Sequence, residues 1–112
     1  REFMHVDDLS SAVIHILENK NRRLLDFNTN SFSKDTNIFN VGTGKDISIY
    51  DLAKKIAKKT HFEGEIIWDK SKPDGTPKKQ LDISKIKELG WSPKIDLDQG
   101  IESTILDFAN HN

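Results

Sequence analysis

The hydrophobic period of this chain switches between two and about 3.6 along its length, and that constrains its fold more than any other feature. Residues 2–6 alternate, with Met4 and Val6 on one face and Phe3 and His5 on the other, as a short strand would. Asp7 then reads as an N-cap, and Leu9, Ala12, Val13, Ile16 and Leu17 keep the spacing of one helical stripe. Residues 37–41 form a second strand-like run, stopped by Gly42-Thr43-Gly44. Ser48 with Asp51 resembles a capping box, opening a helix that turns Ile49, Leu52, Ala53 and Ile56 inward. Lys54, Lys55, Lys58 and Lys59 lie towards its outer side and C-terminal end, where cations suit the helix dipole. Residues 65–68 make a third strand. Asp82 caps a short helix holding Ile83, Ile86 and Leu89, with Gly90 placed as its C′ residue. Asp96 and Gln99 form another cap pair before a last helix with Leu97, Ile101, Ile105 and Phe108 inward.

Helices between strands favour parallel pairing, so the expected class is α/β, with three short strands and four helices. There is no internal repeat. The polar stretch 19–36 is expected to be a flexible loop, with Leu24, Leu25 and Phe27 pinning part of it. Three short strands cannot bury both faces of a sheet and also close a large core. Some apolar surface is therefore expected to belong against a partner outside the 112 residues. The chain opens at Arg1, already inside a strand-like run, and reads as a fragment.

Composition excludes several classes. A hydrophobic share of 35% with 31% charged residues suits a globular chain with a modest core, one domain or a piece of one. A net charge of −1 argues against nucleic-acid binding through a general basic field. The absence of cysteine rules out a disulfide framework and thiolate metal sites, and suits a reducing compartment, hence a cytoplasmic expectation. No apolar run approaches the ~20 residues of a membrane span, and the opening residues do not read as a signal peptide.

Against that near-neutral background, residues 70–79 stand out. Lys70, Lys72, Lys78 and Lys79 flank Pro73, Asp74, Gly75 and Pro77. Pro73 suits the second position of a β-turn and Asp74-Gly75 the positions after it, while Pro77 drives Thr76 out of the helical region. A stiff basic turn with free N–H groups at its tip is either a solvated surface loop or an anion site, for example for a phosphate.

Other patterns offer less. Tyr50 and Lys54 share a helix face at the spacing that serves short-chain dehydrogenases. Yet only 49 residues precede Tyr50, and they contain no glycine-rich cofactor loop. Gly42-Thr43-Gly44 lacks the third glycine of a dinucleotide fingerprint and reads as a turn after a strand. The four histidines, His5, His15, His61 and His111, are scattered without ligand spacing, so no metal site is expected. Asp7 and Asp8 are explained by helix capping, and no nucleophile has a base beside it. Arg1 is suited to grip a phosphate in two-pronged fashion. Trp91, after Gly90, is either a hydrophobic plug or a stacking platform for a base.

Taken together, the chain resembles the C-terminal third of the GDP-L-fucose synthase family, which is part of the extended short-chain dehydrogenases/reductases. Residues 1–8 look like the R-[ED]-F-x-H-V-D-D junction, residues 39–44 like the F-N-V-G-[ST]-G turn, and residues 89–93 like L-G-W-x-P. Residues 69–79 are similar to the D-x-S-K-P-D-G-T-P-[RK]-K segment of fucose synthases, and the likeness runs to about residue 108. The resemblance implies a parent enzyme that uses NADPH, an oxidoreductase and isomerase converting GDP-4-keto-6-deoxy-D-mannose to GDP-L-fucose. The catalytic Ser-Tyr-Lys, the epimerisation residues and the cofactor loop would lie upstream of Arg1. This stretch would then hold no catalytic, cofactor or metal residue and bind no cofactor itself. What carries over is GDP-sugar binding, with Arg1 and Lys79 near the pyrophosphate and Asp74 in contact with substrate. The implied partners are the GDP-sugar, an N-terminal Rossmann lobe and a second copy in a homodimer, with no nucleic acid or membrane. Two alternatives stand beside this reading. One is the equivalent part of another nucleotide-sugar epimerase or dehydratase. The other is a non-catalytic anion-binding module.

Overall fold

A computed structural model of the protein describes residues 1–24, 38–73 and 75–111. Its helices are α1 (Val6–Leu24), α2 (Ile49–Lys59), α3 (Ser84–Glu88) and α4 (Leu97–His111). Each coincides with one of the four stretches of helical period. The predicted loop begins later than expected, because α1 runs on through residues 19–24; residues 25–36 of that loop lie outside the described residues.

No β-strand forms among the described residues, so the three expected strands are not found there. Alternation makes a segment able to be a strand, but a ladder also needs a neighbour to bond. Arg1 and Ile47 exchange both backbone bonds, at 2.7 and 2.9 Å, which is a single antiparallel rung. It goes no further among the described residues. Ile67 is 81% exposed, with no strand beside it to cover it.

The helix ends show how local chemistry sets boundaries. The Ser48 hydroxyl accepts the Asp51 N–H at 2.9 Å and donates to the Asp51 carboxylate at 2.6 Å. Asp96 and Gln99 make the reciprocal box in full: Gln99 N–H to Asp96 Oδ1 at 2.9 Å, and Asp96 N–H to Gln99 Oε1 at 3.3 Å. Asp7 does not cap α1. The first α1 bond runs from Leu9 N–H to the His5 carbonyl, and His5 Nδ1 accepts the Asp7 N–H at 3.2 Å, so the cap is His5. The α3 cap position falls to Ile83 and not to the expected Asp82, which accepts the Ser84 N–H at 2.9 Å from one residue earlier. Gly90, at φ 101°, ends α3 in a Schellman motif, with Gly90 N–H on Lys87 O and Trp91 N–H on Ile86 O. The same motif ends α2, with His61 held at φ 52° in the left-handed position that glycine usually fills.

The core is small: Ala12, Ile83, Ile86 and Trp91, with Met4, Ile16, Phe39 and Val41 packed against it. It joins α1 to α3 through the L-G-W segment, and three polar ties reinforce that contact. Trp91 Nε1 donates to Ser11 Oγ at 3.0 Å, and His15 Nε2 lies 3.0 Å from the Leu89 carbonyl. The Asp8 carboxylate, 3% exposed, accepts the N–H groups of Lys94 and Ile95 at 3.0–3.1 Å. Trp91 is thus a plug.

Several residues expected inward are not. Leu9, Val13 and Leu17 of α1, Ile49 and Ile56 of α2 and Phe108 of α4 are exposed. The α1 stripe is wider than the core it meets, and only Ala12 and Ile16 reach it. Two of the α2 lysines depart from their expected outward place and bridge to α4. Lys55 lies 2.7 Å and Lys59 3.2 Å from the Asp98 carboxylate, and Lys59 also pairs with Glu102. The Glu102 hydrogen bond, with help from Asp98, raises the Lys59 pKa, and Lys55 and Lys59 lower that of Asp98.

Candidate functional site

The site is built around Glu2, whose side chain joins the opening segment to the Gly42-Thr43-Gly44 turn and to Leu81. Its Oε1 accepts the Gly44 N–H at 2.6 Å and the Thr43 hydroxyl at 3.2 Å, while its Oε2 accepts the Leu81 N–H at 2.9 Å. Gly42 is needed for this approach, since a Cβ there would collide with the carboxylate. Gly44, at φ 70°, supplies the left-handed turn. Gly42-Thr43-Gly44 is therefore a turn, as expected, and the anion it cradles belongs to the chain itself. Burial pushes the Glu2 pKa up, but the N–H groups of Leu81, Gly44 and Thr43 and the Thr43 hydroxyl outweigh it and hold the carboxyl below its ordinary value.

Glu2 thereby ties the chain just past the lysine-rich segment to the N-terminal segment, and Arg1 ties the segment itself. The Arg1 guanidinium donates to the Thr76 carbonyl and lies against Gly75, where a Cβ would meet Nη2 at 2.8 Å. Gln80 completes the seam by donating to the Gly44 carbonyl. Two of the sequence-predicted site residues are so brought onto one segment: Arg1 lies on residues 75–76, and Lys79 stands three residues beyond them. Lys79 is exposed and makes no hydrogen bond or ion pair with the described residues, nor do Lys70 and Lys72. Lys78 sits 3.9 Å from the Asp46 carboxylate. Asp74 lies outside the described residues. At the start of the loop, Asp69 accepts the hydroxyl and the N–H of Ser71 at 2.6 and 2.9 Å, which lowers its pKa and sets the first bend. An open cleft of about 710 Å³ adjoins this seam, lined by Gly44, Lys78, Gln80, Asp82, Ser84 and Lys87 among others. The cationic side chains of Lys78 and Lys87 in this cleft suit the binding of an anion, while the oxygens of the nearby Glu2 carboxylate are already engaged by N–H and O–H donors.

Two constellations that imitate catalytic sites do not qualify. Lys54 Nζ stands over the Tyr50 ring, 4.3 Å from its centroid, and that ring packs at 5.5 Å on Trp68. The pair is a cation–π contact. His5 Nε2 lies 3.0 Å from Ser103 Oγ, and His5 Nδ1 lies 3.6 Å from the Asp7 carboxylate, a Ser-His-Asp set that sequence spacing hides. Yet Nδ1 already accepts the Asp7 N–H, so Nε2 is the donor to Ser103, whose own proton goes to the Gly100 carbonyl. The imidazole has no lone pair left for the serine proton. Among the described residues no group of three or more His, Asp or Glu side chains could hold a metal ion.

Glu2 is the residue that motif reading passed over. It lay inside a quoted motif, but its partners sit 41 to 79 positions away, and no local spacing signals them.

No family model matches the chain. Known proteins do. The chain is 44% identical over 104 residues to the GDP-L-fucose synthase of Escherichia coli and 41% identical to a probable GDP-L-fucose synthase of rice, matching 93% of its own length each time. It is 36% identical to the GDP-L-colitose synthase of Yersinia pseudotuberculosis. Among solved structures, a GDP-6-OMe-4-keto-L-xylo-heptose reductase from C. jejuni superposes over the whole chain with TM-score 0.85 at 36% identity. The chain spans about three tenths of these proteins: 31% of the E. coli enzyme, 28% of the rice one and 31% of the heptose reductase. It is thus similar to part of the GDP-L-fucose synthases and of the GDP-sugar reductases of the extended short-chain dehydrogenase/reductase family.

Proposed function

With that kinship as premise, we propose that this chain is the GDP-sugar-binding portion of an NADPH-dependent GDP-L-fucose synthase, without catalytic activity of its own. The parent enzyme would epimerise and reduce GDP-4-keto-6-deoxy-D-mannose on a Rossmann lobe that precedes this stretch, as a homodimer in the cytoplasm. Arg1, Lys79 and Asp74 would hold the substrate at its diphosphate handle while chemistry proceeds elsewhere. The observation that carries the reading is the seam itself. The segment most like fucose synthases, residues 69–79, is tied to the strand-like opening by Arg1 at Thr76 and by Glu2 just beyond it at Leu81, and the Lys79 side chain is exposed and bonds none of the described residues.

The names of the relatives bear on the nucleotide. The fucose synthases, the colitose synthase and the heptose reductase are all named for GDP-sugars, and the sugar differs among them. A putative UDP-glucose 4-epimerase of Methanocaldococcus jannaschii, 34% identical, represents the alternative class. Two C. jejuni relatives in the solved structures are described with NADPH or NADP, which supports that cofactor for the parent.

Two measurements test the proposal. The 112-residue chain should show no NADPH oxidation with the keto-sugar, whereas joining it to the upstream lobe of the E. coli relative should restore turnover. Activity in the chain alone would sink the reading. In the joined enzyme, Lys79→Ala should raise KM by roughly 10- to 100-fold, the scale of one charge-assisted hydrogen bond, and leave kcat nearly unchanged. A fall in kcat at constant KM would instead place Lys79 in the transition state.

A further inference from the structure

We infer that Glu2 is a positioning residue for nucleotide-diphosphate binding, acting through Lys79; this rests on the reading above and extends it to a residue that touches no ligand. The carboxylate receives N–H groups from two segments far apart in sequence, Gly44 and Leu81, and uses both oxygens to do so. Leu81 is two residues past Lys79, and the intervening Gln80 is itself bonded to the Gly44 carbonyl. The far end of the lysine loop is therefore clamped from both sides of the chain, side chain to backbone at Leu81 and side chain to backbone at Gln80. Its near end is held at Thr76 by Arg1, the residue directly before Glu2. One dipeptide, Arg1-Glu2, thus holds the segment 76–81 at two points, and Lys79 stands between them.

The chemistry of the clamp requires a carboxylate. Every group facing Glu2 is a donor: the N–H groups of Gly44 and Leu81 and the Thr43 hydroxyl bond it, and the Thr43 N–H adds to their pull. A glutamine in its place keeps the shape but must point an NH2 at one of those N–H groups, opening either the Leu81 or the Gly44 end. Lys79 then keeps its charge but loses its fixed distance from Arg1. A bidentate hold on a diphosphate depends on that distance, because an unfixed side chain must be ordered at the moment of binding.

The test uses the whole 112-residue chain and GDP-mannose as the probe, titrated by heteronuclear NMR. The wild-type chain should bind, and Lys79→Ala should weaken binding about tenfold or more. Glu2→Gln should weaken it about 5- to 10-fold, with the amide signals of Gly44 and Leu81 displaced and circular dichroism unchanged. The decisive variant is the double one. Because Glu2 acts through Lys79, Glu2→Gln with Lys79→Ala should bind no more weakly than Lys79→Ala alone. Additive losses would show a general structural role and overturn the inference, as would wild-type affinity in Glu2→Gln. If Glu2→Gln fails to fold, Thr43→Val removes the hydroxyl donor and must give a smaller loss that again vanishes in the Lys79→Ala background; a loss that persists there overturns the inference. Lack of binding by the wild type, or an unaltered Lys79→Ala, would defeat the functional reading itself, and the inference with it.

Discussion

Two carboxylates and three lysines mark opposite ways in which this chain uses charge. Asp8 and Glu2 each collect main-chain N–H groups from positions 42 to 87 residues away, and so act as structural knots. Lys70, Lys72 and Lys79 crowd a short basic stretch, remain exposed and bond nothing among the described residues. An acceptor with two oxygens can satisfy several buried donors at once, whereas an ammonium on a flexible stem costs side-chain entropy to fix and gains little at the surface. The acids hold the fold, and the lysines are left available to something outside it.

The sharpest way to break that contrast is Asp8→Ala. It leaves the N–H groups of Lys94 and Ile95 without their acceptor in a site that is nearly closed to water, and should cost about 3 kcal/mol in urea unfolding. A loss under about 1 kcal/mol would mean that water replaces the carboxylate and that Asp8 is no knot.

Acid should strike the Glu2 knot next. Its folded pKa lies below the ordinary 4.5, so its contribution is fully present above that value and is lost as the pH falls through the folded pKa. The melting temperature of the wild-type chain should drop across that acidic window, and the part of the drop owed to Glu2 should be missing in Glu2→Gln. Parallel curves for the two proteins would remove Glu2 from the list of stabilising groups. The smallest effect is expected at the other pole of the comparison. Lys70→Ala, Lys72→Ala and Lys79→Ala should each leave the melting temperature within about 2 °C of wild type, since exposed unpaired side chains add little to stability. A clear loss from any of them would show that the loop, too, is held from within.

What could be read from the sequence were features whose cause lies within one or two turns. The four helical stripes, the Ser48 and Asp96–Gln99 caps and the Gly90 C′ position depend on residues at most four or so apart, and all four helices formed. Trp91 after Gly90 left a plug and a stacking platform both open, and its burial against α1 decided for the plug. The strands failed for a different reason. Residues 2–6 do alternate and 65–68 form a short apolar run, but a ladder belongs to a pair of segments, and no second segment pairs along them among the described residues. The inward faces failed likewise: Leu9, Val13 and Leu17 have helical spacing, yet the core is too small to cover them.

Sequence alone settled where the helices lie, where most of them stop and which known proteins the chain resembles, because period, capping chemistry and motif order are local and can be counted along the chain. Only the tertiary structure decided that the Gly42-Thr43-Gly44 turn is filled by Glu2, that Asp8 pins residues 94–95, and that Arg1 reaches the lysine-rich segment at Thr76. Those decisions rest on hydrogen bonds between groups 42 to 87 positions apart, and a donor and acceptor that far apart in sequence find each other only once the chain between them has folded.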